Sequence, residues 1–174
     1  SVPEERRRQW GEWVNALPKG PRIGLVWAGN RAREDDSFRS IFPDVLTPLG
    51  ALETVQWVRL QMDARPEYLT APFPFPLHDP TAMIRDMADT AAIIENLDMV
   101  ISIDTGVAHL ASAFDVPCWV LLPRMLDWRW VMGDDSSPWY RSTRLFRVQD
   151  DKQWAPVIAR MREDIVRWLA QRNG

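Results

Sequence analysis

"VISIDTGVAHLASAF", residues 100–114, decides the fold. Branched apolar residues run up to Asp104 as a buried strand would, and Thr105-Gly106 then opens a helix. Val107, Leu110, Ala111 and Phe114 recur at helical spacing and predict its apolar face. Thr105, His109 and Ser112 fall on the opposite side. Asp-Thr-Gly after an apolar run is also the signature of an aspartic protease carboxylate. Proteins of that kind are all-β and need two such loops, whereas here a helix follows and no second copy occurs.

Outward from this turn the same alternation repeats. "RIGLVWAGN" (22–30), "TVQWVRLQ" (54–61), "MVISID" (99–104), "PCWVLLP" (117–123) and "RLFRV" (144–148) read as strands. "EERRRQWGEWVNALPKGP" (4–21) reads as an amphipathic helix with Trp10, Trp13, Val14 and Leu17 on one face, stopped by Pro18, Gly20 and Pro21. "FPDVLTPLG" (42–50) is a brief helix, and "DTAAIIENLD" (89–98) a helix capped by Asp89 or Thr90. "APVIARMREDIVRWLAQ" (155–171) closes the chain with Ile158, Met161, Ile165, Trp168 and Leu169 on one side. Residues 68–80 are proline-rich, which suits a loop or an edge segment and not a central strand. Short apolar strands alternating with helices predict an α/β fold, a Rossmann-like parallel sheet with helices on both faces. Ligands of such sheets bind where strand carboxyl ends meet helix amino ends, which selects loops 28–40, 102–106 and 123–140.

Composition limits the function classes. The 174 residues are 46% hydrophobic and 26% charged, with a net charge of -3, so one globular core is expected. Acids and bases are interspersed, and no basic surface for nucleic acid or anionic lipid is expected. The single cysteine, Cys118, rules out an internal disulfide framework and fits a reducing, cytoplasmic setting. No metal-ligand spacing appears, no apolar run is long enough to span a bilayer, and the charged opening is unlike a signal peptide. The chain starts without Met, as an excerpt of a longer protein would. Its ten Trp suggest that some aromatic surface meets a ligand or a neighbouring domain.

At the head of the 106–114 helix the first amides are unpaired and carry the positive end of the helix dipole, which suits a phosphate. Gly106 allows close backbone approach. Thr105 and His109 stand one turn apart and reach the same space. The plain alternative is that Asp104 or Thr105 caps the helix and His109 is a surface residue.

Together, "GLVWAGN" (24–30), "RSI" (39–41), residues 88–114, "VPCWVLLP" (116–123), "DWRW" (127–130) and "SPWY" (137–140) resemble bacterial proteins that join tetratricopeptide repeats to a glycosyltransferase domain. Those domains are similar to ADP-heptose:lipopolysaccharide heptosyltransferases, glycosyltransferase family 9, and more distantly to O-linked GlcNAc transferases. The resemblance implies one half of a GT-B fold. Residues 1–20 would be a lead-in helix and residues 21–174 the C-terminal, nucleotide-sugar-binding domain. The N-terminal half, expected to supply the catalytic base and to complete the cleft for an acceptor glycan or protein, would lie elsewhere, as would the repeats.

The resemblance further implies that Thr105, Gly106, Val107 and His109 hold the donor diphosphate, joined by Arg39 and Ser40 from the first loop. Asn30, Asp104, Trp128 and Arg129 are candidate sugar or base contacts. Asp104, acceptor-only when ionised, is expected to cap the helix or hold a sugar hydroxyl and not to face phosphate. Asp89 is read as a cap first and a ligand contact second. The implied activity is transfer from a nucleotide-diphosphate sugar with inversion, without metal or cofactor. The isolated chain is expected to bind nucleotide and transfer little or nothing. A non-catalytic module of the same fold and a nucleotide-sugar epimerase half remain as alternatives.

Overall fold

The structure, a computed structural model, describes residues 2–30, 36–124, 130, 135–149 and 153–172. Strands β1 (Arg22–Val26), β2 (Gln56–Arg59), β3 (Met99–Ile103), β4 (Cys118–Leu122) and β5 (Thr143–Arg147) form one sheet in the order β2-β1-β3-β4-β5. Every neighbouring pair is parallel. The helices are α1 (Glu4–Asn15), α2 (Asp36–Arg39), α3 (Pro66–Thr70), α4 (Met87–Ile94), α5 (Gly106–Ala113) and α6 (Trp154–Arg172).

The two-residue period of the strands sorts their side chains between two cores. Ile23, Leu25, Trp57, Met99, Ile101, Ile103, Trp119, Leu121 and Phe146 point to one face, covered by α6 and by Leu46 and Leu49 of a 3-10 helix. Val26, Val58, Val100, Cys118, Val120, Leu122 and Leu145 point to the other, covered by α1, α4 and α5. Strands β3 and β4 are buried at every position, which explains their almost wholly apolar runs, broken only by Ser102. The α/β fold with helices on both faces is the one the alternation predicts.

Four details differ from expectation. Residues Pro43–Ala51 form a 3-10 helix and not an α-helix; Pro48 inside it donates no amide, and its ring would clash with the carbonyl four residues back in an α-helix. Tyr68 belongs to α3, and the proline-rich text begins after it. That stretch then runs along the edge of β2, where the His78 amide donates to Trp57 O at 2.8 Å and the Arg59 amide to His78 O at 2.9 Å. The cap of α4 is Asp86, which accepts from the amides of Ala88 and Asp89. On α5 the deeply buried residues are Ala108, Ala111 and Ser112, while Val107, Leu110 and Phe114 are half-buried. Small residues let α5 lie close to the sheet, and Ser112 Oγ meets Thr143 Oγ1 of β5 at 2.7 Å.

Asp89 has a different task from the expected cap. Its carboxylate is fully buried and accepts from Trp10 Nε1 at 3.0 Å, Arg85 N at 2.9 Å and Arg85 Nε at 3.0 Å. Arg6 of α1 stands 3.5 Å from the same group. The helix expected as a lead-in thus enters the second core through Trp10 and Val14 and is keyed to α4 by this carboxylate. The Arg85 hydrogen bond and the Trp10 indole hold the Asp89 carboxyl far below the usual carboxylate range, against the opposing effect of burial.

Candidate functional site

The chain leaves β1 to reach β2 on one side, then returns to β3 on the other. The switch point is therefore between the carboxyl ends of β1 and β3, where open α/β sheets form a crevice. After β1 the backbone is held by a side chain that has no local sequence signal. Gln61 Oε1 accepts the amides of Trp27 at 3.0 Å and Ala28 at 2.8 Å, and Gln61 Nε2 donates to Asp63 O at 2.7 Å. Ser40 Oγ accepts the Gly29 amide at 2.9 Å, and the Ile41 amide donates to Trp27 O at 2.8 Å, so the two ends of the loop are pinned together.

This places Arg39 across the crevice. Its Nη1 donates to the Asp104 carbonyl at 3.0 Å and lies 3.6 Å from Asp104 Oδ2, while Nη2 lies 3.9 Å from Asp36 Oδ1. Asp36 is completely buried, and Arg65 Nε is 4.0 Å from its other oxygen. Arg39 is only 9% exposed, so it is an internal bridge and not a solvated loop charge. A Cβ on Gly29 would fall 2.0 Å from Asp36 Oδ1 and 2.8 Å from Arg39 Nη2. Gly29→Ala is accordingly expected to displace this pair and cost about 2 kcal/mol, read from urea denaturation.

Asp104 is the hub on the β3 side. Its carboxylate accepts from Trp130 Nε1 at 2.9 Å and lies 3.5 Å from His109 Nε2. The Trp130 ring is buried and stacks on His109, centroids 4.9 Å apart and planes 14° apart. His109 Nδ1 is 3.3 Å from the Tyr140 hydroxyl. Asp104 therefore does not cap α5: the N-cap residue is Thr105, and no side-chain hydrogen bond is made there. Thr105 Oγ1 is 2.9 Å from Ser102 Oγ, which itself donates to Ile103 O at 2.7 Å. The first capping-position carbonyl, Thr105 O, receives the amides of Ala108 and His109. The amides of Gly106 and Val107 ahead of them head the helix. Gly106 is exposed, and a Cβ there would meet nothing within 4 Å. The helix head opens onto free space.

Of the residues expected at the site, Arg39, Ser40, Asp104, Thr105, Gly106, Val107 and His109 converge at this switch point. Asn30 is exposed at the end of the β1 turn. Trp128 and Arg129 lie outside the described residues. Trp139 is 64% exposed, and no ring contact joins it to His109, whereas Tyr140 meets the His109 ring. Asp36, Gln61 and Ser102 are structural members of the site that sequence patterns did not single out as such. Among the described residues no group of His, Cys, Asp and Glu could hold a metal ion. Burial pushes the Cys118 thiol up to about 12, so it is no nucleophile. No helix among the described residues is long and apolar enough to cross a membrane.

No family model matches the chain. It is similar to Protein FlbA of Caulobacter vibrioides, 27% identical over a 166-residue alignment that takes in 90% of this chain and 27% of that protein. Among solved structures it resembles ADP-heptose LPS heptosyltransferase II of E. coli, with a TM-score of 0.65 at 17% identity, covering 100% of this chain and 54% of that one. It also resembles a glycosyl transferase family 9 structure from Veillonella parvula, with a TM-score of 0.56 at 17% identity, covering 86% of this chain and 42% of that one. The chain thus spans about a quarter of its curated relative and about half of each solved relative. Its fold is that of a Rossmann-like half of a GT-B protein, similar to the heptosyltransferases.

Proposed function

We propose that this chain is the donor-binding half of a glycosyltransferase and holds the diphosphate of a nucleotide sugar at the head of α5. The observation that carries the reading is the uncapped, open helix head at the β1/β3 switch point, with Arg39 reaching it from the first loop. The Gly106 and Val107 amides make the direct contacts, joined by the Thr105 hydroxyl once it turns from Ser102 Oγ. Arg39, Ser40 and His109 stand behind them and fix the crevice, and the Arg39 guanidinium adds positive charge.

Transfer of the sugar builds positive charge at its anomeric carbon and negative charge on the leaving diphosphate. Fixed amides and a nearby guanidinium stabilise that negative charge in place, with no metal required. The acceptor's base, and the acceptor-binding surface for a glycan or protein, belong to a further GT-B half, and inversion follows from direct displacement. A second reading, a nucleotide-binding module without chemistry, is favoured by the inward turn of Asp36 and Asp104, which leaves neither as a base at the head. Sugar transfer by the full-length protein over a panel of donors and acceptors separates the two.

The site itself is tested at Gly106. Its missing side chain would project into open space, so Gly106→Val leaves the fold intact while filling the volume in front of the amides. Calorimetry with ADP, UDP and GDP should show at least one nucleotide bound by the wild type and that affinity reduced roughly 10-fold or more by the substitution. The Tm should stay level or rise, since a residue with a side chain is less costly than Gly in a helix. Unchanged binding in Gly106→Val would remove the diphosphate from this helix head.

A further inference from the structure

A carboxylate just ahead of a helix is ordinarily its best cap, because the head amides seek an acceptor and the dipole favours negative charge. The N-cap residue of α5 is Thr105, whose side chain makes no cap bond, and the carboxylate of Asp104, one residue earlier, is turned away from the head amides. Its Oδ1 is taken by the Trp130 indole at 2.9 Å, and Arg39 lies 3.6 Å from Oδ2. We infer that Trp130 is a positioning residue that keeps the head of α5 uncapped, by holding the Asp104 carboxylate away from the amides that an incoming anion must use. The inference rests on the reading of that head as the diphosphate site.

Three observations support it. Trp130 is wholly buried in a connection whose Trp139 is 64% exposed, so its placement is specific. Its backbone is held as well, since Arg147 Nη2 of β5 donates to Trp130 O. Its ring also stacks on His109, whose Nε2 is buried and faces the same carboxylate at 3.5 Å. On its other side His109 Nδ1 lies 3.3 Å from the Tyr140 hydroxyl. Tyr140 and Trp130 together fix the face that His109 shows to Asp104. Released from the indole, Asp104 would swing to the vacant amides and act as a tethered competitor of the diphosphate.

Trp130→Phe keeps a ring to stack on His109 and removes the N–H. In the free protein, the Gly106 and Val107 amide resonances should move downfield and their hydrogen exchange should slow as Asp104 takes the cap. With inorganic pyrophosphate and the nucleotide found to bind, affinity should fall roughly 10-fold. Adding Asp104→Asn to Trp130→Phe should restore most of that loss, because a carboxamide carries no charge to repel the anion. Asp104→Asn alone, a milder change should the Phe variant not fold, should strengthen pyrophosphate binding by roughly 3-fold. Unmoved amide resonances in Trp130→Phe, an unrescued double variant, or a 10-fold loss in Asp104→Asn alone would each overturn the inference. The resonances report on the clamp without any ligand. If they move as expected while the wild type binds neither pyrophosphate nor nucleotide, the clamp stands and the donor reading fails.

Discussion

Replacing Asp89 by Ala is expected to lower stability by about 3 kcal/mol, a drop of roughly 10 °C in Tm for a chain of this size. The cause is local. The carboxylate is fully buried, and every oxygen is used by Trp10, Arg85 or Arg6. Arg6 and Arg85 regain water when it is removed, but the Trp10 indole N–H, on a residue only 2% exposed, loses its acceptor inside the core. Asp89→Asn keeps an oxygen for the indole and should cost roughly 1 kcal/mol. The pH dependence follows from the direction of its shift. The folded pKa is depressed by the Arg85 and Trp10 hydrogen bonds, so the unfolded chain takes up a proton first as pH falls. The contribution of Asp89 is complete above the unfolded value near 4 and is lost progressively below it. Urea denaturation of wild type and Asp89→Ala between neutral and strongly acid pH should therefore converge at the acid end. A constant gap down to the lowest pH at which the fold persists would show that the charge is not the stabilising element.

Arg39→Ala should combine a large loss of stability with a loss of ligand binding. It leaves Asp36, completely buried, with Arg65 at 4.0 Å as its remaining charge partner among the described residues, and takes the donor from the Asp104 carbonyl. Removing one partner of a buried charge set typically costs about 3 kcal/mol or more. Because Arg39 ties α2 to the turn after β3, nucleotide affinity should fall by roughly 10-fold or more at the same time. Arg39→Lys should rescue little of either effect. One ammonium cannot reach the Asp104 carbonyl and the Asp36 carboxylate together as the guanidinium fork does. Thermal denaturation with calorimetry on the same samples checks both. Full binding in a well-folded Arg39→Ala would confine the guanidinium to other duties.

The fold was largely legible because its signals are periodic. Strands β3 and β4 are almost wholly apolar runs, and each is preceded or followed by a stretch at helical spacing. What was not legible depends on partners distant in sequence. Asp86 and Asp89 are both plausible caps three residues apart, and only the approach of Trp10 from α1 makes the second one a core carboxylate. Gln61 reads as an ordinary polar residue after a strand until β1 lies beside β2 and brings two amides to its oxygen. Arg39 and His109 were recognisable as residues of the switch point, but the direction of their polar atoms was not. Both turn toward Asp104, whose own capping role was the natural local expectation. The Trp130 indole overrides that expectation from 26 residues away.

The strand order has a consequence for how the domain assembles. Ile23 of β1 aligns with Met99 of β3, so this pairing closes only after the intervening α2-to-α4 chain has been made and folded aside. Long closures of this kind carry a larger entropic cost, and parallel pairings of high sequence separation form slowly. Arg39 waits on one side of that seam and Asp104 on the other. During synthesis the crevice therefore comes into being late, and its charged bridge forms only when the two central strands have found each other.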